Sequence, residues 1–305
     1  MELINELGRR AAQLEIEGRF EEAEAVCRQV LRLAPNNPAA RYALAVLRLR
    51  QGDWAEGWRL YEARRELSQR GGGEPRPSYP EWRGEPIRSL LVWWEQGLGD
   101  QIMFGRWIRP LVDRGISVTL VCSPPVARLL RHLGVTVIAA AGSATIPRHD
   151  AWCLIGSLPR LAGGFPAAPY LPSASGGSGR GVAVRGSPTN PGDGQRSLFG
   201  EDAAQVLELG RSLLPPDTGA RDMEDGRQII AGLAEVITVD TSIVHLAGAM
   251  GKPTTLLLPY CADWRWGLSD RTVWYPSVRI VRQPRPGDWS GALAEVRARL
   301  ACEQE

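Results

Sequence analysis

The stretch SLLVWWEQGLGDQ, residues 89–101, decides the fold class of this chain. Residues 89–94 form a buried-strand candidate, 97–100 form a tight turn, and 101–114 carry apolar residues at helical spacing. The same alternation continues with predicted strands at 117–122, 136–139 and 150–154 and a predicted helix at 125–133. Strands that alternate with helices predict a parallel sheet that is covered on both faces.

A second alternation begins after a glycine- and serine-rich linker at 173–180. It consists of predicted strands at 181–185, 236–239 and 254–258 and predicted helices at 202–213, 225–233, 242–250 and near 289–302. The sequence therefore predicts an α/β fold with two Rossmann-like domains, 86–172 and 181–305. Because such sheets bind ligands outside the carboxyl ends of their strands, we expect a cleft between these domains.

The N-terminal region carries an internal repeat. GRFEEA, which begins at Gly18, recurs loosely as GDWAEG, which begins at Gly52, and this 34-residue period is that of the tetratricopeptide repeat. The pattern predicts helices at 2–17, 20–33, 38–51 and 54–68. Residues 1–70 thus form an all-α, tetratricopeptide-like module, with a linker at 71–85. It is either a platform for a partner protein or a prop for the next domain, and so short a stack needs a neighbour to cover its open face.

Composition excludes several classes of function. The 36 basic and 34 acidic residues nearly balance, so there is no basic footprint for nucleic acid. No apolar stretch is long enough to span a membrane, and the first residues do not resemble a signal peptide. The 5 cysteines and 3 histidines are scattered, which predicts neither a disulfide framework nor a metal site. We therefore expect a cytoplasmic protein.

The turn EQGLGD, residues 95–100, is the first candidate site. Gly97 and Gly99 allow a ligand to approach the backbone closely where a strand gives way to a helix. Asp100 lies at the helix entrance, where a carboxylate either accepts the proton of an attacking hydroxyl or simply caps the helix. The spacing differs from the GxGxxG dinucleotide fingerprint.

The segment VDTSIVHLAG, residues 239–248, is the second candidate site. Asp240, Thr241 and Ser242 are helix-capping residue types, and the N–H groups of a first helical turn can hold a diphosphate. His245, about one turn further on, can donate a hydrogen bond to a phosphate oxygen. A capped helix with a half-buried histidine explains the same pattern without a ligand.

Two further segments are candidates. In the polar loop at 186–197, Gly186 starts the turn and Arg196 suits bidentate phosphate recognition, although such a segment is more often plain surface. The aromatic run that includes Trp264, Trp274 and Trp289 could stack on a base or sugar. We favour a structural role for it, in which it packs a C-terminal segment back across the domains.

Together these segments resemble a known family. The tetratricopeptide repeat, EQGLGD, VDTSIVHLAGAMGKP, DWRWG and RQPRPGDW follow one another as in bacterial tetratricopeptide-containing glycosyltransferases. Those proteins are similar to the family-9 heptosyltransferases, which have the GT-B fold. The resemblance spans nearly the whole chain and is most specific in the last 70 residues.

The resemblance implies an inverting, metal-independent glycosyltransferase that uses a nucleotide-sugar as co-substrate and needs no other cofactor. By this resemblance Asp100 is the catalytic base, and the acceptor is a protein such as flagellin, presented by the helical module. The residues that would bind the donor are Asp240, Thr241, Ser242, His245, Arg196 and Gly186. The acceptor-side loop would consist of Gly97, Gly99 and Gln101.

The chain departs from the family pattern at two places. The loop at 186–197 lacks the histidine and one asparagine that family members often have. The segment 198–236, which shapes the nucleotide pocket in the family, is short. An alternative function is therefore a tetratricopeptide scaffold protein whose transferase domain has decayed. A heptosyltransferase of the lipopolysaccharide core is a third option, which the module makes weaker because the module suggests a protein acceptor.

Overall fold

The computed structural model describes residues 2–67, 77–141, 144–174, 176–190 and 192–302. The chain forms two structural units, Met1–Arg70 with Tyr260–Ser269 and Gly71–Pro259 with Asp270–Glu305. We call them the helical unit and the α/β unit. Residue 68 of the last predicted module helix, residues 71–76 of the first predicted linker and residue 175 of the second lie outside the described residues.

The helical unit contains the four predicted helices in order. They are α1 (Glu2–Ile16), α2 (Phe20–Leu33), α3 (Pro38–Arg50) and α4 (Trp54–Tyr61). Gly18 and Gly52 end equivalent helices of the two repeats, and both have a positive φ, 75° and 85°. The last helix is shorter than predicted, because the chain continues from Glu62 to Glu66 as a 3₁₀ helix. The tighter turn aligns residues three apart, and the Arg64 guanidinium lies 4.8 Å from the centre of the Tyr61 ring.

A segment from far along the sequence completes the helical unit. Within Tyr260–Ser269, the Trp264 ring packs edge-on against Trp58 and Tyr61, with ring centres 5.6 Å apart in both pairs. The buried Arg50 guanidinium donates to the Ala262 carbonyl at 2.6 Å. The first part of the aromatic run is therefore structural, and it supplies apolar packing that a further repeat would otherwise provide.

The first half of the α/β unit is a four-stranded parallel sheet in the order β3-β2-β1-β4. Its strands are β1 (Ser89–Trp93), β2 (Ser117–Cys122), β3 (Thr136–Ala139) and β4 (Ala151–Leu154). Its helices are α5 (Leu98–Gly105), α6 (Ile108–Asp113), α7 (Pro124–Leu130) and α8 (Leu158–Ala162). Residues 80–82 of the predicted linker run beside β4, where the Trp82 N–H donates to the Trp152 carbonyl at 2.7 Å.

The second half is a five-stranded parallel sheet in the order β6-β5-β7-β8-β9. Its strands are β5 (Arg180–Ala183), β6 (Arg211–Ser212), β7 (Glu235–Val239), β8 (Thr254–Leu258) and β9 (Val278–Arg282). Its helices are α9 (Asp193–Arg196), α10 (Gly200–Leu207), α11 (Pro215–Thr218), α12 (Met223–Ala231), α13 (Ser242–Ala249) and α14 (Trp289–Cys302). The predicted fold class, a helical module before two Rossmann-like α/β halves, is confirmed.

Several elements differ from the predictions, which also missed the short helices α8, α9 and α11. The helix predicted at 101–114 breaks after Gly105, where Arg106 and Trp107 are both buried and the Arg106 side chain donates to the Met103 carbonyl at 3.1 Å. The helix predicted at 202–213 ends at Leu207, and β6 follows. Gly210 makes this possible, since a Cβ there would lie 2.6 Å from the Arg180 carbonyl oxygen. Strand β9 is not among the predicted strands, although its β-branched residues Val278, Ile280 and Val281 favour a strand.

All five cysteines are free thiols. Burial raises the pKa of Cys27 to about 11 and that of Cys122 to about 12, so neither thiol is a nucleophile near neutral pH. Over the described ranges, every helix is too short or too polar to cross a membrane.

An ionic cluster joins the two halves of the α/β unit. On α7, Arg128 donates to Asp222 at 3.0 Å and to Asp225 at 2.9 Å, at the start of α12. The His132 Nε2 atom lies 3.1 Å from the buried Glu224 carboxylate. Burial alone would raise the pKa of Glu224, but hydrogen bonds from Arg227, Gln228 and His132 outweigh it and hold the pKa below its ordinary 4.5. The cluster therefore stabilises the α7–α12 contact while this carboxylate is ionised.

We expect Glu224→Gln to lower the melting temperature at neutral pH and to lower it much less below about pH 4. The folded state holds this carboxylate ionised to a lower pH than the unfolded state does, so its contribution is complete above the unfolded pKa and is lost as the pH falls through the folded pKa. Thermal unfolding of wild type and variant across that range measures the difference. Glu208→Gln removes an exposed carboxylate just after the end of α10 and is the matched control. A difference in melting temperature between wild type and Glu224→Gln that stayed constant with pH would contradict this assignment.

Candidate active site

The two predicted motifs meet at the carboxyl ends of the strands within the α/β unit. Strand β1 leads into the turn at 95–100, β7 leads into α13, and α5 packs against α13. A Cβ on Gly99 would lie 2.5 Å from Cδ2 and 3.2 Å from Nε2 of His245. The backbone at Gly99 therefore touches the His245 imidazole, an approach that only glycine allows.

The turn at 95–100 is held in an uncommon conformation. Gln96 has a φ of 64°, in the left-handed region that non-glycine residues rarely adopt. Glu95 is buried, and its carboxylate accepts from the Gly156 N–H at 3.1 Å, which fixes the turn to the end of β4. Strained backbone of this kind is found at binding and catalytic sites when its surroundings hold it in place.

Asp100 closes this turn from the third position of α5. Its half-buried carboxylate accepts from the Gly97 N–H at 2.9 Å, and Gly97 is the residue that caps the helix. The predicted capping role is thus present in a modified form, in which the side chain reaches back to the cap. A carboxylate in the first turn is also stabilised by the helix dipole.

Gln101 lies behind the turn. It is 1% exposed, its amide nitrogen donates to the Ser123 hydroxyl at 3.0 Å, and its amide oxygen accepts from the Ser123 N–H at 3.0 Å. The side chain therefore fastens α5 to the end of β2. Of the three predicted acceptor-side residues, Gly97 and Gly99 form the turn, and Gln101 supports it.

The start of α13 has the predicted capping pattern. Thr241 is the capping residue, and its hydroxyl accepts from the Ile243 N–H at 3.0 Å. Asp240 precedes it and Ser242 opens the helix, and both are half-buried. The helix N-terminus lies at the carboxyl edge of the second sheet, a location at which anions bind.

His245 is buried, at 5% exposure, and not half-buried as in the ligand-free interpretation of its motif. Its Nδ1 atom lies 3.0 Å from the hydroxyl of Tyr275, a fully buried residue that the motifs did not single out as a site residue. A Cβ on Gly248 would lie 2.3 Å from the Tyr275 ring, so this glycine admits the tyrosine to the side of α13. The only sequence signal for Tyr275 is its place in the aromatic run, between Trp274 and Pro276.

The loop at 186–197, of which residue 191 lies outside the described residues, is held together by hydrogen bonds between its described ends. The Gly186 N–H donates to the Ser197 hydroxyl at 2.9 Å, and that hydroxyl donates to Asp193 at 2.8 Å. A Cβ on Gly186 would lie 2.7 Å from an Arg196 guanidinium nitrogen, so the arginine lies over the glycine. Residue 183 of β5 is paired with residue 238 of β7, which sets the start of this loop beside the turn at 240–242. In the part of the chain that the structure describes, no cluster of three or more His, Cys, Asp or Glu side chains could hold a metal ion.

Sequence comparisons relate the chain to a family model and to a curated protein. Residues 14–67 match the family model of the tetratricopeptide repeat, which confirms the predicted repeat. The chain is also similar to Protein FlbA of Caulobacter vibrioides, with 26% identity over 93% of this chain and 59% of that protein. The chain therefore spans about three fifths of the length of this curated relative.

Several solved glycosyltransferase structures resemble the chain at low identity. E. coli ADP-heptose lps heptosyltransferase II is 14% identical over 71% of this chain and 100% of that chain, with a TM-score of 0.46. E. coli heptosyltransferase WaaC is 12% identical over 71% and 100%, with a TM-score of 0.48. The iron-containing dodecameric glycosyltransferase TibC of enterotoxigenic E. coli is 13% identical over 74% and 78%, with a TM-score of 0.49.

We expect Gly99→Ala to destabilise the protein by about 1–3 kcal/mol, because the added methyl group overlaps the buried His245 ring. Denaturant unfolding measures the change. Gly226→Ala on α12 is the control, since a Cβ there makes an ordinary 3.6 Å contact with Leu246. In a His245→Ala background the cost of Gly99→Ala should largely disappear. Equal costs in both backgrounds would show that the two residues are not in contact.

Proposed function

We propose that this protein is a glycosyltransferase that moves a sugar from a nucleotide-sugar donor to an acceptor hydroxyl, with inversion and without a metal ion. The contact between Gly99 and His245 carries the proposal, because it joins the predicted acceptor-side turn to the predicted donor-side helix. Resemblance of both motifs to family-9 glycosyltransferases supports the same activity. A transferase of this kind needs its acceptor-side base and its donor-side phosphate-binding groups within reach of one anomeric carbon.

On the donor side, the diphosphate would bind at the N-terminus of α13. The backbone N–H groups of its first turn, with Asp240, Thr241 and Ser242 around them, offer hydrogen bonds and the positive end of the helix dipole. Arg196 and Gly186 belong to the neighbouring loop, from which a guanidinium can reach a phosphate. These groups, with His245, would stabilise the charge of the departing diphosphate and so replace a metal ion.

On the acceptor side, Asp100 would take the proton of the attacking hydroxyl. It follows Gly99 directly and therefore lies one residue from the backbone that touches His245. The hydroxyl oxygen would attack the anomeric carbon from the α5 side while the bond to the diphosphate breaks on the α13 side. Attack and departure on opposite faces invert the configuration.

The acceptor would be a protein, such as flagellin, held by the helical unit. In that unit a groove of about 620 Å³ runs between α1, α2 and α3. Small and apolar residues form most of its lining, and its polar lining residues are Glu2, Asn5, Arg9, Glu15 and Asn37. An extended peptide segment fits a groove of this composition, because small side chains admit its backbone and amide groups can bond to it.

A scaffold function is the second candidate, and the shape of the second sheet favours it. Strand β6, in the segment that shapes the nucleotide pocket of the family, has only two residues. A pocket built on so short a strand could have lost the ability to bind a nucleotide, while the helical unit still binds a partner protein.

We expect one nucleoside diphosphate or its sugar to raise the melting temperature of the purified protein without added metal. A ligand at a hundred times its Kd adds about 2.7 kcal/mol to the stability of the state that binds it. Asp240→Asn should abolish the shift, and Asp113→Asn, an exposed carboxylate at the end of α6, should preserve it. If no nucleotide changed the melting temperature of folded protein, the scaffold function would be favoured instead.

We expect Asp100→Asn to reduce hydrolysis of the donor found in that screen by about 10²–10⁴-fold, the usual contribution of a general base. Water replaces the acceptor hydroxyl in this assay, so no acceptor need be known. Asparagine can still accept from the Gly97 N–H, so the melting temperature should stay close to that of wild type. If the Asp100→Asn protein hydrolysed the donor at the wild-type rate, Asp100 would not be the base.

A further inference from the structure

We infer that the two halves of the α/β unit open and close about a pivot at residues 164–168, and that the ion pairs between Arg128 and α12 are the latch that holds them closed. The pivot and the latch are properties of the folded chain alone. Their consequence for sugar transfer, the admission of substrates between Gly99 and His245, rests on the proposed function.

The two halves are in contact at the candidate site. A Cβ on Gly99 would lie 2.5 Å from Cδ2 of His245, so the turn of the first half touches the helix of the second. An acceptor hydroxyl and an anomeric carbon cannot lie between atoms that already touch. The proposed reaction therefore needs a state in which the halves are further apart, at least while substrates enter and products leave.

The connection between the halves is fixed to the first half up to Gly163. The Arg114 side chain donates to the Ala162 carbonyl at 2.9 Å, just past the start of this connection. The indole N–H of Trp107, a fully buried side chain of the first half, donates to the Gly163 carbonyl at 3.3 Å. The backbone up to this carbonyl therefore moves with the first half.

The connection is fixed to the second half again from Pro169. Its ring packs against Gly251, where a Cβ would lie 3.2 Å away. The Tyr170 N–H donates to the Ala249 carbonyl, at the end of α13, at 2.9 Å. The Tyr170 hydroxyl also donates to the Ile102 carbonyl of the first half at 2.7 Å, a contact right next to the pivot. The backbone beyond the pivot thus moves with the second half.

The glycine- and serine-rich segment 173–180, which the sequence predicts as the linker, is not the pivot. Lys252 is buried, and its ammonium group donates to the Gly176 carbonyl at 3.3 Å. The same group donates to the carbonyls of Ala231 and Leu233, beyond the end of α12, at 3.2 and 2.6 Å. From Gly176 onward this segment is therefore part of the second half, in spite of its flexible composition.

The backbone of residues 164–168, between the two anchored stretches, can absorb a rotation. Gly164 has a φ of 67°, in the left-handed region that is open to glycine, and a Cβ there would meet no atom within 4 Å. In the part of the chain that the structure describes, the N–H groups of Gly164, Ala167 and Ala168 make no backbone hydrogen bond. Domain rotations are absorbed by a few loop residues of this kind, whose φ and ψ can change.

Several contacts between the halves lie at the pivot itself. The Phe165 ring packs against Trp107 of the first half and Trp274 of the second, with ring centres 5.8 and 4.9 Å apart. Arg106 donates to the Pro166 carbonyl at 3.4 Å and to the Trp274 carbonyl at 2.8 Å. Because atoms at an axis of rotation move least, these contacts can persist while the halves open.

The latch consists of charged side chains that face each other across the two halves. Arg128 of α7 donates to Asp222 and Asp225, at the start of α12, at 3.0 and 2.9 Å. The Arg128 side chain is 41% exposed, so water and salt reach it. Ion pairs of this exposure are weak enough to break without unfolding either half, and added salt weakens them further.

Distances between two spin labels test the latch without any ligand. Pro125→Cys on α7 and Ala204→Cys on α10 place one label on an exposed position of each half. Cys261→Ser and Cys302→Ser first remove the two native thiols that are not buried. With the latch intact and at low salt, we expect a single narrow distribution of distances.

Reversal of one charge should open the latch. Arg128→Glu places a third carboxylate beside Asp222 and Asp225, so we expect it to add a component at longer distance. About 1 M salt, where the screening length is about 3 Å, should add the same component to the protein with Arg128 in place. Arg109→Glu, which breaks an exposed ion pair to Asp113 within the first half, is the matched control and should add none. A distribution that is already broad at low salt, or that Arg128→Glu leaves unchanged, would overturn the latch.

Amide hydrogen exchange of the Arg128→Glu protein locates the pivot. The N–H groups of Tyr170, Leu171 and Ser178 donate to carbonyls of the second half at 2.9, 3.0 and 3.1 Å. If the halves rotate about residues 164–168, all three should exchange at their wild-type rates while the labels move apart. Faster exchange at any of the three would place the rotation further along the chain and overturn this pivot. Neither measurement uses a nucleotide, so a failed nucleotide screen would leave both results as they stand.

Discussion

The contact between the Gly99 backbone and the His245 ring is the constraint on which the candidate site depends. Helices α5 and α13 carry the two sequence motifs, and they approach closely only because position 99 has no side chain. On the other side of α13, Gly248 gives the same freedom to Tyr275. A larger residue at either glycine would push the surrounding elements apart. The geometry of the site therefore depends on the absence of a side chain at positions 99 and 248.

The break between α5 and α6 is the second feature that shapes the site. A continuous helix would have used the carbonyls of Ile102 and Met103 within its own backbone, whereas the break releases them to the side chains of Tyr170 and Arg106. The cost of burying the Arg106 charge is offset by carbonyl oxygens and aromatic faces. The irregularity after Gly105 therefore gives two side chains their hydrogen-bond acceptors.

Local sequence patterns predicted most of the fold. They failed where a contact between residues far apart in the sequence determines the structure. Strands β2, β3 and β8 have the bounds that their apolar runs predict, and the helical repeat was readable from its glycines. The end of α10 was not readable, because it depends on how Gly210 fits against Arg180 across the sheet. At the candidate site the capping residues around Thr241 could be predicted from residue type alone. The partner of His245 could not, because Tyr275 lies 30 residues further along the chain.

The ten residues from Tyr260 to Ser269 belong to the helical unit although the chain reaches them only after β8. Their tryptophan rests on aromatic side chains of α4, and Arg50 of α3 holds their backbone. The repeat is therefore not a detachable N-terminal appendage. A recombination event that exchanged it at the linker alone would leave Trp264 without its aromatic neighbours in one product and the helices without their cover in the other. Repeat and loop must be inherited together, and a graft onto another transferase would have to transplant both.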